Sequence, residues 1–457
     1  MRVIGTPFPA FNPGLETTLN KSDTNQHPRN TSARFIAWQV LQQLESQKFR
    51  LHADDALHEA ARTAGLSSND TSLAFIILSG CLRETSLLSF YIARYSSRPL
   101  DAIDPGLRWF LLIALYQILF LDRVADYAAV NETVKMCKKV YKPDWGSFAN
   151  GILRSILRDI SAGRQPSLKN LPLATAFSHP EWLVKKWIGE YGEEETCKIL
   201  TWNNRFPEHY ARSRVPVPEL TAALGSNLVQ PTPDIDSSAV KMFKTSEVVN
   251  SKTFEEGKLY IMQPWSLHAV RQLPLPEKGR VLDMCAAPGG KAIAMADAGS
   301  ALTVTAVDED SRRMERLKEN IARCRVSNVI PVLLDARECA RHFGPAAFDA
   351  VLLDAPCTSL GVIQRKPEIR WRANPASILT TTKIQKELLQ TAIDCVVPGG
   401  YVLYAVCSFS PEETRQIVLP LVEKNEGIVC VKDKLNLPGE RNMDGGYWAL
   451  LQKSAMG

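Results

Sequence analysis

Residues 280–291 read Arg-Val-Leu-Asp-Met-Cys-Ala-Ala-Pro-Gly-Gly-Lys, and no other stretch limits the possible folds of this chain so strongly. The run 280–283 has the composition of a buried strand. It breaks into Cys285, Ala286, Ala287, Pro288, Gly289 and Gly290, and residues 291–298 are of helical composition. A strand, a turn of small residues and a helix start form a pocket in which a ligand can approach the backbone closely. Spacing removes two common versions of such a pocket. The dinucleotide pattern G-x-G-x-x-G fails because Gly289 and Gly290 are adjacent. A phosphate loop fails because Cys285 stands where glycine is needed and Ala292 where serine or threonine is needed. The turn is therefore expected to hold a cofactor that is not gripped by phosphates. On these residues alone a plain strand-to-helix turn stays open.

The residues that follow extend the argument. Strands are expected at 302–308, 329–335, 348–354 and 400–406, alternating with helical stretches at 309–324 and 376–396. That alternation predicts a doubly wound, Rossmann-like α/β sheet. Two last apolar segments, 428–431 and 447–451, suit an antiparallel edge hairpin. Ligands of open α/β sheets lie outside the carboxyl ends of the strands. Three strands here end in an aspartate: Asp308 could hold a ribose hydroxyl pair, Asp335 an amine donor such as adenine, and Asp354 is the third. Any one of them could be a helix cap. Three carboxylates form a poor cradle for phosphate and a good one for a cation, and S-adenosylmethionine carries a sulfonium. Cys357 follows the strand that ends at Asp354, and Cys407 follows the next strand. Adjacent strand ends would bring these thiols toward one pocket, a placement that suits nucleophilic chemistry. Cys81, Cys137, Cys197, Cys324, Cys339, Cys395 and Cys430 read as inert packing residues, and Cys285 as packing within the cofactor turn.

Upstream the pattern is different. Residues 1–30, rich in Pro, Asn, Thr and Ser, read as a mobile leader. Residues 31–165 read as an all-α domain, with a first helix capped at Thr31-Ser32 and further helices at 54–64, 68–95, 105–122, 127–141 and 146–161. Lys135, Lys138, Lys139 and Lys142 form a basic face, open between RNA contact and simple solvation. Asn131 and Asn150 are expected at helix ends. Residues 166–262 read as a linker and a small α+β subdomain, with Ser178 capping a helix that has Pro180 in its first turn, and short strands at 239–243 and 259–262. Residues 263–457 read as the Rossmann-like domain that would carry any catalysis. The chain's 457 residues allow two to four domains, and its net charge of +5 permits a nucleic-acid partner without requiring one. Ten cysteines without a C-x-x-C pair indicate neither zinc nor disulfides and fit a reducing cytoplasm. The apolar run 109–121, interrupted by Gln117, is too short to span a bilayer and reads as a core helix. A cytoplasmic monomer with no metal and no membrane contact is expected.

These residues carry a family resemblance. The segments 285–291, 354–357 and 405–408 resemble the motifs of RNA cytosine-5 methyltransferases, and 354–371 resembles that family along its length. The phrases at 115–122, 128–134 and 148–154 resemble the NusB-like RNA-binding fold. Together they make residues 31–457 most similar to the RsmB (Sun, Fmu) type, which acts on small-subunit (16S) ribosomal RNA. The chain departs from the family's Ser-Gly after the first cysteine with Thr358-Ser359, from its Thr before the second with Val406, and from its Gln-Asp-x-Ala-Ser with Gln263-Pro264-Trp265-Ser266. The resemblance implies S-adenosylmethionine in the turn 285–291 with Asp308, Asp335 and Asp354. It implies Cys407 as the nucleophile, Asp354 against the base, Cys357 in product release and Lys291 stabilising charge. Lys291 could equally pair with one of the aspartates. Arg365, Lys366, Arg370, Trp371 and Arg372 read as a phosphate-contacting and base-stacking stretch, with a charged surface helix as the alternative. The same chemistry on transfer or another RNA, and a non-catalytic RNA-binding factor, are the competing readings.

Overall fold

The computed structural model describes residues 32–122, 124–168 and 170–455. The expected leader and the Thr31 half of the first cap lie outside these residues. The described residues divide into two compact units, those up to 205 with 363–372, and 206–362 with those from 373 onward.

The first unit is helical. Ser32 caps Ala33–Ser46 by accepting the Phe35 N–H, and helices follow at Ala53–Ala64, Ser68–Tyr95, Pro105–Phe120, Asp126–Val140 and Pro143–Ser161. The apolar run is the core helix expected: Phe110, Leu111, Leu112, Ile113, Ala114 and Leu115 are fully buried. Gln117 is buried among them without penalty, because it accepts from Arg34 Nε at 2.7 Å and donates to the Ile113 carbonyl at 2.9 Å. Ser68–Tyr95 is also long and apolar enough to cross a membrane, yet 61% of that window is buried within the protein. Asn131 and Asn150 lie inside helices, where Asn150 accepts from Arg154 Nε at 2.8 Å, so neither serves a helix end.

Glu181–Asn204 completes this unit, broken at Gly192, whose φ of 80° and ψ of 165° are not helical. Pro180 is the residue preceding the helix and Ser178 does not cap it. Ser178 Oγ is instead taken by the Leu87 N–H at 3.0 Å. Within 363–372 the phosphate-contacting and base-stacking expectation fails at two residues, Arg370 and Trp371. Arg370 is fully buried and donates to the carbonyls of Arg83 (3.1 Å), Ser178 (3.1 Å) and Asn203 (3.1 Å) and to Asn204 Oδ1 (2.8 Å). Burial lowers its pKa from the ordinary guanidinium value. Trp371 donates its Nε1–H to the Leu82 carbonyl at 2.8 Å and packs on the helical core. These two residues are structural pins rather than a base-stacking surface, because their donors are already taken by carbonyls of the helical unit.

The second unit contains two sheets. Strands β1 (His209–Ser213), β2 (Val229–Pro231), β3 (Ala239–Met242) and β4 (Leu259–Ile261) form a sheet of order β2-β3-β1-β4, the small α+β subdomain. β1 escaped sequence reading because polar residues fill it: Arg212 is buried and donates to Asp297 Oδ2 at 2.6 Å. Asp297 is shared with Arg214, and although burial opposes its charge the two guanidinia hold its pKa below the usual carboxylate value.

The larger sheet contains β5 (Gly279–Met284), β6 (Leu302–Asp308), β7 (Val329–Leu333), β8 (Phe348–Asp354), β9 (Val396–Val406), β10 (Ile428–Asn436) and β11 (Gly446–Lys453), in the order β10-β11-β9-β8-β5-β6-β7. β7, β6, β5, β8 and β9 are parallel; β11 and β10 are antiparallel, as the edge-hairpin reading required. Its strands read as nearly continuous apolar runs because both faces are covered. Val281, Val304, Leu352 and Leu403 face one core layer; Leu282, Val351, Leu353 and Val402 face the other. The chain proceeds outward from β5 through β6 to β7, then returns to place β8 on the other side of β5. That reversal opens a crevice at the carboxyl ends of β5 and β8.

Candidate active site

The turn after β5 is built from small residues under tight constraint. Cys285 has φ 62° and Gly289 φ 105°, and the Ala287-Pro288 peptide is cis. The Ala286 N–H donates to the Val307 carbonyl at 2.8 Å, fixing the turn to β6. A side chain at Gly289 would come within 2.5 Å of Leu317 Cδ1, and one at Gly290 within 2.9 Å of Tyr260 Cε1. Two residues not singled out from sequence brace the turn from outside: Tyr260 Oη and Asn320 Nδ2 both donate to the Pro288 carbonyl, at 2.9 and 3.0 Å. Burial, reinforced by neighbouring carboxylates, pushes the Cys285 thiol far above its ordinary range.

The aspartates differ in what they already hold. Asp308 is buried and accepts from Ala287 N at 3.2 Å and Asp310 N at 3.0 Å, with Arg313 NH2 at 3.0 Å. A carboxylate has about four acceptor sites, so one is left for a hydroxyl. Asp335 does not end a strand as expected: β7 stops at Leu333, and Asp335 caps the short helix Ala336–Glu338, accepting from the Arg337 N–H at 2.9 Å and from the Arg337 guanidinium, hydrogen bonding that lowers its pKa. Asp354, half-exposed at the end of β8, receives Lys291 Nζ at 2.5 Å. Burial works to lower the Lys291 pKa, but the charge of Asp354 and its hydrogen bond, with Asp283 beyond, raise it. Asp283 was passed over in the sequence as part of a strand. It is fully buried, and burial raises its pKa well above the ordinary value, with Lys291 and the Ala292 backbone opposing the rise and the charges of Asp354 and Asp308 adding to it.

Cys357 and Cys407, 50 positions apart, have their sulfurs 3.3 Å from each other. They titrate in opposite directions. The hydrogen bond from Cys357 lowers the Cys407 pKa despite burial, helped by Ser359 and the charge of Lys291; the same bond and burial raise Cys357, with Glu413 adding to the rise. Each of the other eight cysteines is raised by burial. A thiol pair with one sulfur poised as thiolate and its neighbour as proton donor can attack an electrophilic carbon and later manage a proton.

The loop carrying Cys357 is held by a residue that no spacing in the sequence connects to it. Glu413 is fully buried and accepts from the Thr358 N–H (2.8 Å), the Thr358 hydroxyl, Thr381 Oγ1 (2.8 Å) and Gln385 Nε2 (3.2 Å). Gln385 also donates to the Pro356 carbonyl at 2.9 Å, and Tyr404 Oη to the Glu413 carbonyl at 2.8 Å. Gly361 N–H donates to the Cys407 carbonyl at 3.0 Å, tying one cysteine's loop to the other's strand. The only sequence signal for Glu413 is the Ser-Pro-Glu-Glu start of a short turn, which points to no partner.

The turn can be tested against S-adenosylmethionine by its donor set. Carboxylates at the ends of β6 and β8 suit a cationic cofactor, and Asp308 keeps one acceptor site for a hydroxyl; the residues fit the group.

Comparison with known proteins agrees with this architecture. Residues 270–452 match the family model of the 16S rRNA methyltransferase RsmB/F, and residues 31–158 match the NusB family. The ribosomal RNA small subunit methyltransferase B of Yersinia pseudotuberculosis is 30% identical over 440 residues, covering 93% of this chain and 100% of that protein. A probable ribosomal RNA small subunit methyltransferase B of Bacillus subtilis is 29% identical over 408 residues, covering 87% and 89%. Among solved structures, that of PH0851 superposes with a TM-score of 0.77 at 25% identity, covering 92% of this chain and 99% of that one. NSun6 from Pyrococcus horikoshii with SFG shares the fold, with a TM-score of 0.55 at 21% identity and coverage of 61% and 99%. With a helical NusB domain ahead of a doubly wound methyltransferase sheet, and near-full-length likeness to its curated members, this chain belongs to the ribosomal RNA small subunit methyltransferase B family.

Proposed function

We propose that this protein methylates carbon 5 of a cytosine in 16S ribosomal RNA through a covalent adduct with Cys407. The observation that carries the reading is the thiol pair at 3.3 Å beside the Lys291–Asp354 ion pair, at adjacent strand ends. Carbon 5 of cytosine is a weak nucleophile. Bond formation between Cys407 Sγ and carbon 6 pushes the ring's electrons toward carbon 5 and makes it enamine-like. Asp354 would hydrogen-bond the exocyclic amine and ring nitrogen and support protonation as the adduct forms. Lys291 would keep Asp354 oriented and offset charge gathering in the pocket. After methylation a base takes the carbon 5 proton, and the carbon 6–sulfur bond then breaks as the carbon 5–carbon 6 double bond re-forms, its electron pair leaving with Cys407 as thiolate. Cys357, whose sulfur lies 3.3 Å from that of Cys407, would assist the release.

The bound S-adenosylmethionine supplies an electrophilic methyl group on a sulfonium. Residues 285–291, Asp308, Asp335 and Asp354 would hold it. In this reading residues 31–165 bind RNA, 166–262 connect, and 263–457 catalyse. The substrate is unassembled or partly assembled small-subunit RNA in the cytoplasm, and the target base leaves its stack to reach the thiols. The test is methylation of deproteinised 16S ribosomal RNA with labelled S-adenosylmethionine and mapping of the product. A single 5-methylcytosine is expected; label on a nitrogen, a ribose or another base would overturn the reading.

A further inference from the structure

Ser359 stands in an unusual place. Its φ of 62° lies in the left-handed region that favours glycine, yet the chain places a side chain there. The hydroxyl oxygen lies 3.6 Å from Cys407 Sγ, 3.8 Å from Cys357 Sγ and 3.5 Å from the Cys357 carbonyl. It is thus the third member of a compact group of two sulfurs and one oxygen. Rigid neighbours hold it: Thr358 is fixed by Glu413, and the Val362 N–H donates to the Ser359 carbonyl at 3.1 Å. We propose that Ser359 is a positioning residue for the Cys407 nucleophile, its hydroxyl turning to donate a hydrogen bond to the thiolate when that sulfur ionises.

Charge decides which acceptor the hydroxyl chooses. Beside two neutral thiols the Ser359 proton can go to the Cys357 carbonyl. Once Cys407 carries a negative charge, a charge-assisted bond to sulfur is the stronger alternative. Cys357 donates to the same sulfur, so the thiolate gains two donors from one loop, and both are withdrawn together if the loop moves. The other ionisable groups acting on Cys407 are Asp354, whose charge opposes ionisation, and Lys291, whose charge favours it. Ser359 contributes no charge of its own, so its effect is separable from theirs. The inference rests on Cys407 as the attacking thiol and adds the group that keeps it ionised and aimed.

The experiment measures thiol ionisation directly in the full-length chain. Rates of iodoacetamide modification of Cys407, followed by peptide mass spectrometry, are recorded against pH for the wild type, Ser359→Ala and Ser359→Gly. Both variants should move the midpoint upward by about one pH unit, and methyl transfer at neutral pH should fall and recover as pH rises. Ser359→Gly relieves the left-handed strain, so its melting temperature should not fall; lower thiol reactivity without lost stability excludes a merely structural role. Superimposable pH profiles in all three proteins would overturn the proposal. A wild type that yields no 5-methylcytosine would defeat the functional reading, while the shift in alkylation midpoint would still report on Ser359.

Discussion

Two sulfurs 3.3 Å apart are chemically distinguishable because their surroundings differ. The hydrogen bond between them, with Ser359 and Lys291 on the Cys407 side and Glu413 on the Cys357 side, holds the Cys407 pKa below the ordinary thiol value and raises that of Cys357. The roles then separate in time. Cys407→Ala should abolish both methyl transfer and any covalent RNA complex. Cys357→Ala should attack and methylate, then stall with RNA attached through Cys407. Denaturing electrophoresis with RNA and cofactor distinguishes the two: a slow band is expected for Cys357→Ala only, and the same band from Cys407→Ala would reverse the assignment. The sign of the pH dependence also follows. A lowered thiol pKa means the reactive form persists below the ordinary thiol range, and activity declines as pH drops through the lowered value. Single-turnover methyl transfer measured against pH should therefore show its acidic limb below that of a free cysteine, and the limb should move up in Cys357→Ala, which loses a donor. Cys357, Cys407, Asp354 and Lys291 were all legible in the sequence, since each closes or follows a strand or a small-residue turn. Glu413, Gln385 and Tyr260 were not, because a hydrogen bond between residues 55 positions apart leaves no periodic trace.

Among the elements, the loop after β8 is the one on which geometry depends most. A Cβ at Gly361 would lie 2.0 Å from the Gly445 carbonyl oxygen and 3.0 Å from that of Cys407. Gly361→Ala must therefore push the loop off the end of β9. Displacement of about 1 Å is enough to reduce the rate by roughly 100-fold, and kcat should drop while cofactor affinity in calorimetry stays near that of the wild type. Retained kcat would mean the thiols do not depend on this contact. The segment 363–372 makes a different demand. Arg370→Met would leave at least four oxygen acceptors without their buried donor, a loss of roughly 3–5 kcal/mol. Amide exchange should accelerate in Ser68–Tyr95 and Glu181–Asn204 before it does in the large sheet. Uniform exchange across both units would show that Arg370 is not a local pin.

For the whole molecule, the outstanding quantity is how the helical unit treats RNA. Lys135, Lys138, Lys139 and Lys142 are all exposed on or just beyond the helix Asp126–Val140. Replacing the four by glutamate should weaken RNA binding and flatten its salt dependence, by about 0.9 in log–log slope for each phosphate contact removed. An unchanged slope in filter binding across salt concentrations would assign the face to solvation. Fold class, the aspartates that close β6 and β8, and the thiol pair could be read from the chain because each is written in local order: a period of 2 or 3.6, a turn of small residues, a residue just past a strand. The positions that did not follow from pattern are those where a polar group is buried with a distant partner. Arg212 in β1 is paired with Asp297, Arg370 donates to carbonyls of the helical unit, and Glu413 accepts from Thr358 and Gln385. In the linear chain such residues look solvent-facing, since burial without a partner would be prohibitive; only the folded structure supplies the partner that makes burial possible.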